Sequence, residues 1–578
     1  MPYTPSSPLK SIITQDVAES PNTHESKIAI DANIALIKDS IGSIKKSTLR
    51  FFSGTALSRV TGMLRDVLLA FAFGTHAAVA AFFVAFRLSH VCRRLFGEGA
   101  LQSAFIPIFE ELRKDSPERA FRFFRDLSAL LTIFLTGFVL VSMAGLGVAL
   151  RYIEWSPGNA QIIKLMIILM PSLLPICLFG INCALLQCQK HYFTAGIAPA
   201  FFNIIITLGV LILHYVYFPD PVDAMPYLAV ATVIGCGMQW FATFTRCFRH
   251  TQAALQGKLT QSINFLSSDI RKLVAPLSLG LLGVGASQIN NAIDALFARW
   301  ADPEGPAQLW YGLRLTQLPL ALFGIAISGA LLPPLSRAIQ AGNTTEYLSF
   351  LDFAIRRVTA LLLPCTIALY VLGTHLINLI FGHGDFQMHS IITTTSCLHG
   401  YAMGLLPMGL IIVLAPAFYA HKDYKTPMIG ACISLVINAL LDSSFVFIFG
   451  MKALSVALAT SVASWCNVLF LYRALEKKSG RILTEVGGEE FFKIVAISFF
   501  AGAVTWFLQT RFFTPATFFH FFTIPALPTV LLDQIKAVAL SGCTFLGCIL
   551  LFAFTARSHD LLGLFRLKPT RSPATLQE

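Results

Sequence analysis

The chain carries little charge for its length. Asp, Glu, Lys and Arg make up 13% of its 578 residues, about half the share found in ordinary soluble domains. Hydrophobic residues make up 55%, and the mean hydropathy is +0.68. Because so few charged groups cannot cover this much apolar surface in water, the composition excludes a soluble globular protein.

Sequence signatures of catalysis are also missing. The chain has no GxSxG, P-loop or HExxH motif, and its histidines are dispersed. The twelve cysteines form no CxxC pair, so we interpret them as small buried side chains and not as metal or redox sites. We therefore predict that the protein is not an enzyme and holds no tightly bound cofactor.

Long apolar runs, in contrast, are frequent. Fourteen of them are each long enough to cross a bilayer as a helix. These spans, numbered 1 to 14, cover residues 51–74, 79–107, 127–150, 162–187, 194–217, 226–246, 272–298, 308–336, 354–381, 390–416, 426–449, 453–474, 491–510 and 533–555. The predicted fold class is an all-α polytopic membrane protein.

Basic residues mark alternate loops. The loops after spans 2, 6 and 12 are rich in Arg and Lys, whereas the loops after the odd-numbered spans hold only Arg151, Arg299, Lys452 and Arg511. This positive-inside bias predicts that both termini are cytoplasmic. The formal net charge of +12 is therefore a topology signal, and we predict no nucleic-acid partner. Residues 1–48 lack the apolar core of a secretory signal and are interpreted as a polar cytoplasmic extension.

An internal repeat divides the chain. Motifs within residues 87–107 recur within 314–334 at an offset of 227, and residues 190–194 match 422–426 at an offset of 232. Because the copies are six spans apart, the two halves run in the same direction across the membrane, as in many transporters. The predicted segments are the extension 1–48, a first lobe at 49–250, a second lobe at 251–475, spans 13 and 14 at 476–560, and a cytoplasmic tail at 561–578.

Ionisable residues inside spans mark functional paths by default, because a charge in lipid is costly. Spans 1, 2 and 8 contain six arginines and only two carboxylates: Arg59, Arg65, Arg87, Arg93, Arg94, Arg314, Asp66 and Glu98. We predict a water-filled cationic cavity between the halves and an anionic cargo, since the guanidinium fork donates paired hydrogen bonds to phosphate or carboxylate. The alternative is that some of these arginines, Arg87 above all, reach towards the headgroups.

A second polar cluster falls on spans 7, 11 and 12. Asp294 lies on span 7, Asn438 and Asp442 lie one turn apart on span 11, and Thr460 follows Val456 by one turn on span 12. Hard oxygen ligands without a basic partner suit a small cation such as sodium, and one acid could instead hold a proton. The alternative is a neutral Asp–Asn hydrogen bond between helices.

The motifs in these spans resemble one family. They are residues 58–66 (SRVTGMLRD), 81–88 (AFFVAFRL), 93–100 (RRLFGEGA), 414–419 (LAPAFY) and 423–427 (DYKTP). They closely resemble the MurJ (MviN) family of lipid II flippases, part of the multidrug/oligosaccharidyl-lipid/polysaccharide exporter superfamily. The resemblance implies two lobes around a cationic cavity, and a groove for a polyprenyl tail along spans 13 and 14.

The resemblance also assigns residues. The family's cavity arginines match Arg59, Arg65, Arg93 and Arg314, and we place Ser58, Asp66 and Glu98 beside them in the substrate site. Its sodium ligands, on the equivalent spans, match Asp294, Asn438, Asp442, Thr460 and the backbone of Val456. The implied partners are lipid II and membrane lipids.

These expectations combine into a function. We expect ion-coupled alternating access that moves lipid II, the undecaprenyl-pyrophosphate-linked peptidoglycan precursor, from the inner to the outer leaflet of the bacterial plasma membrane. An exporter of another cargo is one alternative, although a drug-cation cavity should be acidic. A membrane-embedded glycosyltransferase is another, but it would need a carboxylate base near an extended outer loop. A non-transporting scaffold is disfavoured by unpaired charge in the membrane.

Overall fold

The computed structural model describes residues 41–91, 100–217, 220–256, 263–265, 267–480, 482, 485–511 and 529–565. Helices are the only regular elements in these ranges. The candidate site residues Arg93 and Glu98 lie outside the described residues, as do most of the predicted extension at 1–48 and most of the predicted tail.

Within the described ranges there are eighteen α-helices. In chain order they are α1 Ile41–Phe73, α2 Ala77–Ser89, α3 Ala100–Asp115, α4 Pro117–Tyr152, α5 Pro157–Leu169, α6 Leu173–Cys188, α7 Tyr192–Ile212, α8 Pro221–Ala254, α9 Ser268–Ala301, α10 Gly305–Pro319, α11 Ile325–Gln340, α12 Thr344–Phe381, α13 Met388–Ala420, α14 Lys425–Ser443, α15 Leu454–Ser479, α16 Glu485–Arg511, α17 Thr529–Thr555 and α18 His559–Phe565.

The helices account for the predicted spans. Ten described helical segments, α5 with α6 counting as one, are long and apolar enough to cross a membrane, and each coincides with a predicted span. The other four spans fall on α1, on α2 with α3, on α9, and on α10 with α11. Arg59, Arg65 and Asp66 make α1 less apolar, and the other three include residues that are not fully described. The all-α polytopic fold is confirmed.

The repeat is visible in local backbone geometry. Lys190 precedes α7 with φ 59°, and Lys422 precedes α14 with φ 58°. Non-glycine residues seldom adopt this left-handed conformation, and the two positions are related by the offset of 232. Each of these helices also ends in a π-helical turn, at Leu213–Tyr217 after α7 and at Ser444–Ile448 after α14. The two halves therefore share local backbone geometry around α7 and α14.

Helix packing follows the two halves. Helices α1 to α8 pack mainly on one another, as do α9 to α15, while α16 and α17 pack on α12. The halves meet where α2 and α3 contact α9, and where α2 contacts α10. The short helix α18 contains the predicted boundary at residue 560 and buries Leu561 against α12 and α16.

The helix bundle has two ends. The basic end contains the loops that follow α3, α8 and α13, and the opposite end contains those that follow α1, α9 and α12. Arg65 of α1 and Arg314 of α10 lie between these two ends, beside the buried Asp66.

Candidate functional site

Two arginines share one buried carboxylate between the halves. Asp66 on α1 is 1% exposed. Arg65 donates from Nε and Nη2 to Asp66 Oδ1, at 3.0 and 2.6 Å. Arg314 on α10 places its Nε 2.7 Å from Asp66 Oδ2. One negative charge therefore faces two guanidinium groups, and the trio keeps a net positive charge.

Helix α7 holds Arg65 in position. Asn203 accepts a hydrogen bond from Arg65 Nη1 at 3.1 Å. The amide nitrogen of Asn203 donates to the carbonyl of Ser58 at 3.0 Å and to Thr61 Oγ1 at 3.2 Å. Gly62 permits this approach, because a Cβ there would lie 3.3 Å from Asn203 Nδ2. The guanidinium of Arg65 is therefore fixed by two helices.

An aromatic side chain lies between cations from opposite halves. The guanidinium carbon of Arg314 lies 4.5 Å from the ring centroid of Trp310, and that of Arg87 lies 5.5 Å from it. Trp310 also stacks on Phe83 of α2, with ring centroids 4.5 Å apart. Cation–π contacts of this kind contribute about 0.5–2 kcal/mol each. Arg87 thus points into the interface between the halves.

The other residues predicted for the cavity are placed differently. Arg59 is exposed on α1, and no ion pair is found for it among the described residues. Ser58 contributes its backbone carbonyl to Asn203. Sequence reasoning missed Asn203 and Trp310, although a polar side chain in an apolar span was an available signal for Asn203.

The second cluster brings the predicted polar residues together. Asn438 Nδ2 donates to Asp294 Oδ1 at 2.6 Å and to Asp442 Oδ2 at 3.2 Å. Thr460 Oγ1 lies 3.4 Å from Asp294 Oδ2, and 2.9 Å from the carbonyl of Val456. Asn290, one turn before Asp294, donates to Asp294 Oδ2 at 3.1 Å.

The donor set of this cluster fits a small hard cation. Asp294, Asn438 and Asp442 are 5%, 1% and 0% exposed. Asn438 Oδ1 and Asp442 Oδ1 are buried and accept no hydrogen bond in the described structure. The cluster has only two carboxylates. No metal-binding group of three or more His, Cys, Asp or Glu residues occurs among the described residues. Amide, hydroxyl and carbonyl oxygens would have to complete the coordination.

Two ion pairs join the halves at the basic end. Arg119 of α4 donates to Asp269 of α9 from Nε at 2.9 Å and from Nη2 at 2.8 Å. Lys272 Nζ lies 3.6 Å from a carboxylate oxygen of Glu111. Both contacts join the first half to the second.

Hydrogen bonds join the halves at the opposite end. Thr75 donates to Glu304 at 2.8 Å, and its hydroxyl lies 2.8 Å from that of Ser390. The backbone N–H of Asp385 donates to the carbonyl of Phe71 at 2.9 Å. Arg65 and Arg314 therefore lie between two sets of contacts that join the halves.

Comparison with known sequences gives a consistent result. A family model described as lipid II flippase MurJ matches residues 69–527. A probable lipid II flippase MurJ of Chlamydia muridarum is 33% identical over 536 residues, covering 91% of this chain and 97% of the relative. The corresponding protein of Chlamydia trachomatis is 31% identical over 537 residues, with coverage of 91% and 97%.

Solved structures share the fold. A lipid II flippase MurJ in an inward closed conformation has a TM-score of 0.69 at 23% identity, covering 89% of this chain and 99% of that structure. An inward-facing multidrug MATE transporter of the MOP superfamily has a TM-score of 0.57 at 14% identity, with coverage of 73% and 94%. The likeness in architecture extends over most of the chain.

Proposed function

The chain belongs to the lipid II flippase MurJ family, and we propose that it moves lipid II from the inner to the outer leaflet of the bacterial plasma membrane by ion-coupled alternating access. The chain is a multi-pass membrane protein, and its family consists of transporters. The observation that carries the proposal is the sharing of Asp66 by Arg65 and Arg314.

The shared carboxylate suits a site for a pyrophosphate. Arg65 and Arg314 come from different halves, and one carboxylate neutralises only one of them. A pyrophosphate between them would supply the missing negative charge and accept the forked hydrogen bonds that guanidinium groups donate. Arg87, which faces Trp310 from the first half, adds a further positive charge. A bound pyrophosphate would thus contact arginines from both halves at once.

Alternating access follows from the contacts at the two ends. The Arg119–Asp269 pair has to separate before a headgroup can enter from the basic end. The contacts of Thr75 with Glu304 and Ser390 have to separate before it can leave at the opposite end. We place the basic end and both termini in the cytoplasm, because of the positive-inside bias.

The carboxylate cluster of the second half is the proposed coupling site. A bound sodium ion would offset one of the two negative charges of Asp294 and Asp442. Its ligands would be oxygen atoms of Asp294, Asn438, Asp442 and Thr460 and the carbonyl of Val456. The buried acceptors Asn438 Oδ1 and Asp442 Oδ1, which accept no described hydrogen bond, support this assignment. Without an ion, the two carboxylates share one amide donor and repel each other, which disfavours this arrangement of α9 and α14.

The C-terminal helices offer a surface for the lipid tail. Helices α16 and α17 pack on α12 and present exposed aromatic residues, among them Phe492 at 72%, Phe499 at 64% and Trp506 at 60% exposure. We assign the polyprenyl chain to this surface, since it would remain in the hydrocarbon layer while the headgroup crosses.

Depletion of the protein from growing cells tests the proposal. Outer-leaflet lipid II, measured by its accessibility to an enzyme added from outside, should fall while the total lipid II pool rises. Re-expression of the native chain should restore it. Unchanged outer-leaflet lipid II after depletion would contradict the proposed cargo.

A further inference from the structure

A basic pocket lies at the basic end of the first half, away from the cavity. It lies between α7 and α8 and has a volume of about 450 Å³. Its lining contains no carboxylate and consists of Thr194, Ala242, Thr245, Arg246, Arg249 and His250. Arg246 Nη1 donates to Thr194 Oγ1 at 2.7 Å. The ring of His191 lies 5.2 Å from that of His250.

The equivalent place in the second half contains a carboxylate, which the pocket lacks. At the offset of 232, His191, Thr194 and Arg246 correspond to Asp423, Thr426 and Lys478. Lys478 Nζ forms an ion pair with Asp423 Oδ2 at 2.9 Å. The N–H and the hydroxyl of Thr426 both donate to the same carboxylate, at 3.0 and 2.9 Å. The positive charge of Lys478 is therefore neutralised by the carboxylate of Asp423.

Burial opposes the ionisation of Asp423, but the bonds from Thr426 and Lys478 outweigh it and hold its pKa at about 2. The carboxylate of Asp423 is therefore charged throughout the physiological range. It supplies a permanent negative charge at this point of the second half.

The turn before α7 resembles the turn before α14 in backbone conformation but has no carboxylate. Lys190 and Lys422, which precede the two positions, share a left-handed conformation. His191 replaces the acid, and neither Arg246 nor Arg249 has an ion-pair partner among the described residues. Burial and the charge of Arg246 lower the pKa of His191. The pocket thus holds positive charge that no described residue balances.

We propose that the pocket of His191, Thr194, Arg246, Arg249 and His250 binds the phosphate group of an anionic membrane lipid, which supplies the negative charge that Asp423 supplies in the second half. Guanidinium groups, a hydroxyl and imidazole N–H groups are donors suited to phosphate oxygens. This site is separate from the cargo site at Asp66, and it does not depend on the identity of the cargo.

The surroundings of the pocket favour a lipid over soluble phosphate. Phe193, Phe241 and Phe248 neighbour the lining residues in sequence and are 45%, 51% and 41% exposed. Apolar rings at the end of a span lie at the level of acyl chains and headgroups. Basic pockets between helices at the cytoplasmic face are typical sites for anionic headgroups. An acyl chain would cover the rings while its phosphate occupies the pocket.

Thermal unfolding of the purified protein in detergent, with phosphatidylglycerol, phosphatidylcholine or inorganic phosphate added, tests the proposal. Phosphatidylglycerol should raise the melting temperature of the native protein more than phosphatidylcholine does, because a ligand of the folded state stabilises it. Inorganic phosphate at the same concentration should have little effect. If inorganic phosphate stabilises the protein as much as phosphatidylglycerol does, the lipid assignment is wrong.

Matched variants locate the effect. Arg246→Ala should weaken phosphatidylglycerol binding about tenfold or more, since it removes a charge-assisted contact. His191→Asp should weaken it as well while leaving the protein folded, because the introduced carboxylate can pair with Arg246 as Asp423 pairs with Lys478. Lys478→Ala is the control and should bind phosphatidylglycerol like the native chain. An equal response to phosphatidylglycerol in all four proteins would overturn the proposal.

Discussion

Asn438 joins two buried carboxylates through one amide group, and this determines what the cluster can bind. Its nitrogen reaches both Asp294 and Asp442, while its oxygen is left without a described donor. A buried acceptor without a partner costs about 1–3 kcal/mol. A cation coordinated there would remove this cost, and it would also reduce the repulsion between the two acids. If Asp442 instead holds a proton, its O–H can donate a hydrogen bond within the cluster, so the two occupants have to be distinguished by experiment.

Sodium should therefore stabilise the purified protein. At a hundred times its dissociation constant a ligand contributes about 2.7 kcal/mol, so sodium should raise the melting temperature and potassium at equal ionic strength should not. Asp442→Asn should abolish the sodium response. Asp533→Asn, which removes a carboxylate that is 47% exposed on α17, should retain it.

Equal effects of sodium and potassium on the native protein would contradict the ion site. The comparison at equal ionic strength is necessary, because any salt screens the basic loops. A site that binds only protons would give a different pattern, in which the melting temperature depends on pH and does not respond to sodium.

The sequence predicted the members of this cluster but not their connections. Spacing along span 11 predicted that Asn438 and Asp442 share a helix face, and the family resemblance grouped Asp294 with them. The bond from Asn438 to Asp294 depends on how α9 and α14 pack, which a single sequence does not specify. Asp66 likewise could be identified as a buried acid, but its pairing with Arg314, 248 positions away, required the structure.

At the scale of elements, two glycines join the end of α1 to the loop after α12. Gly74 has φ 54°, and a Cβ there would lie 2.4 Å from the carbonyl oxygen of Asp385. Gly384 has φ 60°, and a Cβ there would clash with the carbonyl of Phe71. Both glycines allow the close approach in which the N–H of Asp385 bonds to Phe71 at 2.9 Å. This contact joins the halves at the opposite end of the interface.

Gly74→Ala should consequently open that end. The added methyl group pushes the loop away, in addition to a conformational cost of about 1 kcal/mol for a left-handed alanine. A cysteine introduced at Ser390, in a cysteine-free background, should then react faster with an impermeant maleimide added from the outside. Gly342→Ala is the matched control, because Gly342 has φ 68° but open space around its Cα.

If Gly74→Ala and Gly342→Ala leave the maleimide reaction equally slow, the docking of this loop does not close the opposite end. The sequence could not predict this contact, because a glycine in a short loop is compatible with many turns. It did predict the helices on either side, since long apolar runs have few alternatives in a membrane.

At the scale of the whole molecule, the fold was largely predictable and the conformation was not. The positions of the spans followed from hydropathy, and the relation between the halves followed from matched motifs such as residues 190–194 and 422–426. Whether the interface is open or closed depends on contacts worth little individually, such as Arg119–Asp269. An exposed pair of this kind contributes about 0.2–1 kcal/mol, and Arg119 is 47% exposed at its side chain.

Reversing the charges of this pair tests its role in closing the basic end. Arg119→Asp should place two carboxylates together and raise, by a few-fold, the rate at which a cysteine at Ser58 is labelled from the cytoplasmic side. Adding Asp269→Arg should restore slow labelling, because the ion pair is formed again with opposite polarity. Fast labelling in the double variant would mean that the pair does not hold the end closed.

The most direct test of the central claim is the transfer of labelled lipid II across vesicles that contain the purified protein, with Arg314 varied. The native protein should equilibrate lipid II between the leaflets, and Arg314→Ala should abolish this activity while leaving the protein folded. Arg314→Lys should restore only part of it, since a point charge lacks the guanidinium fork. Arg151→Ala, at the exposed end of α4, should transport normally. Native rates of transfer in Arg314→Ala would contradict the assignment of the pyrophosphate to the arginines at Asp66.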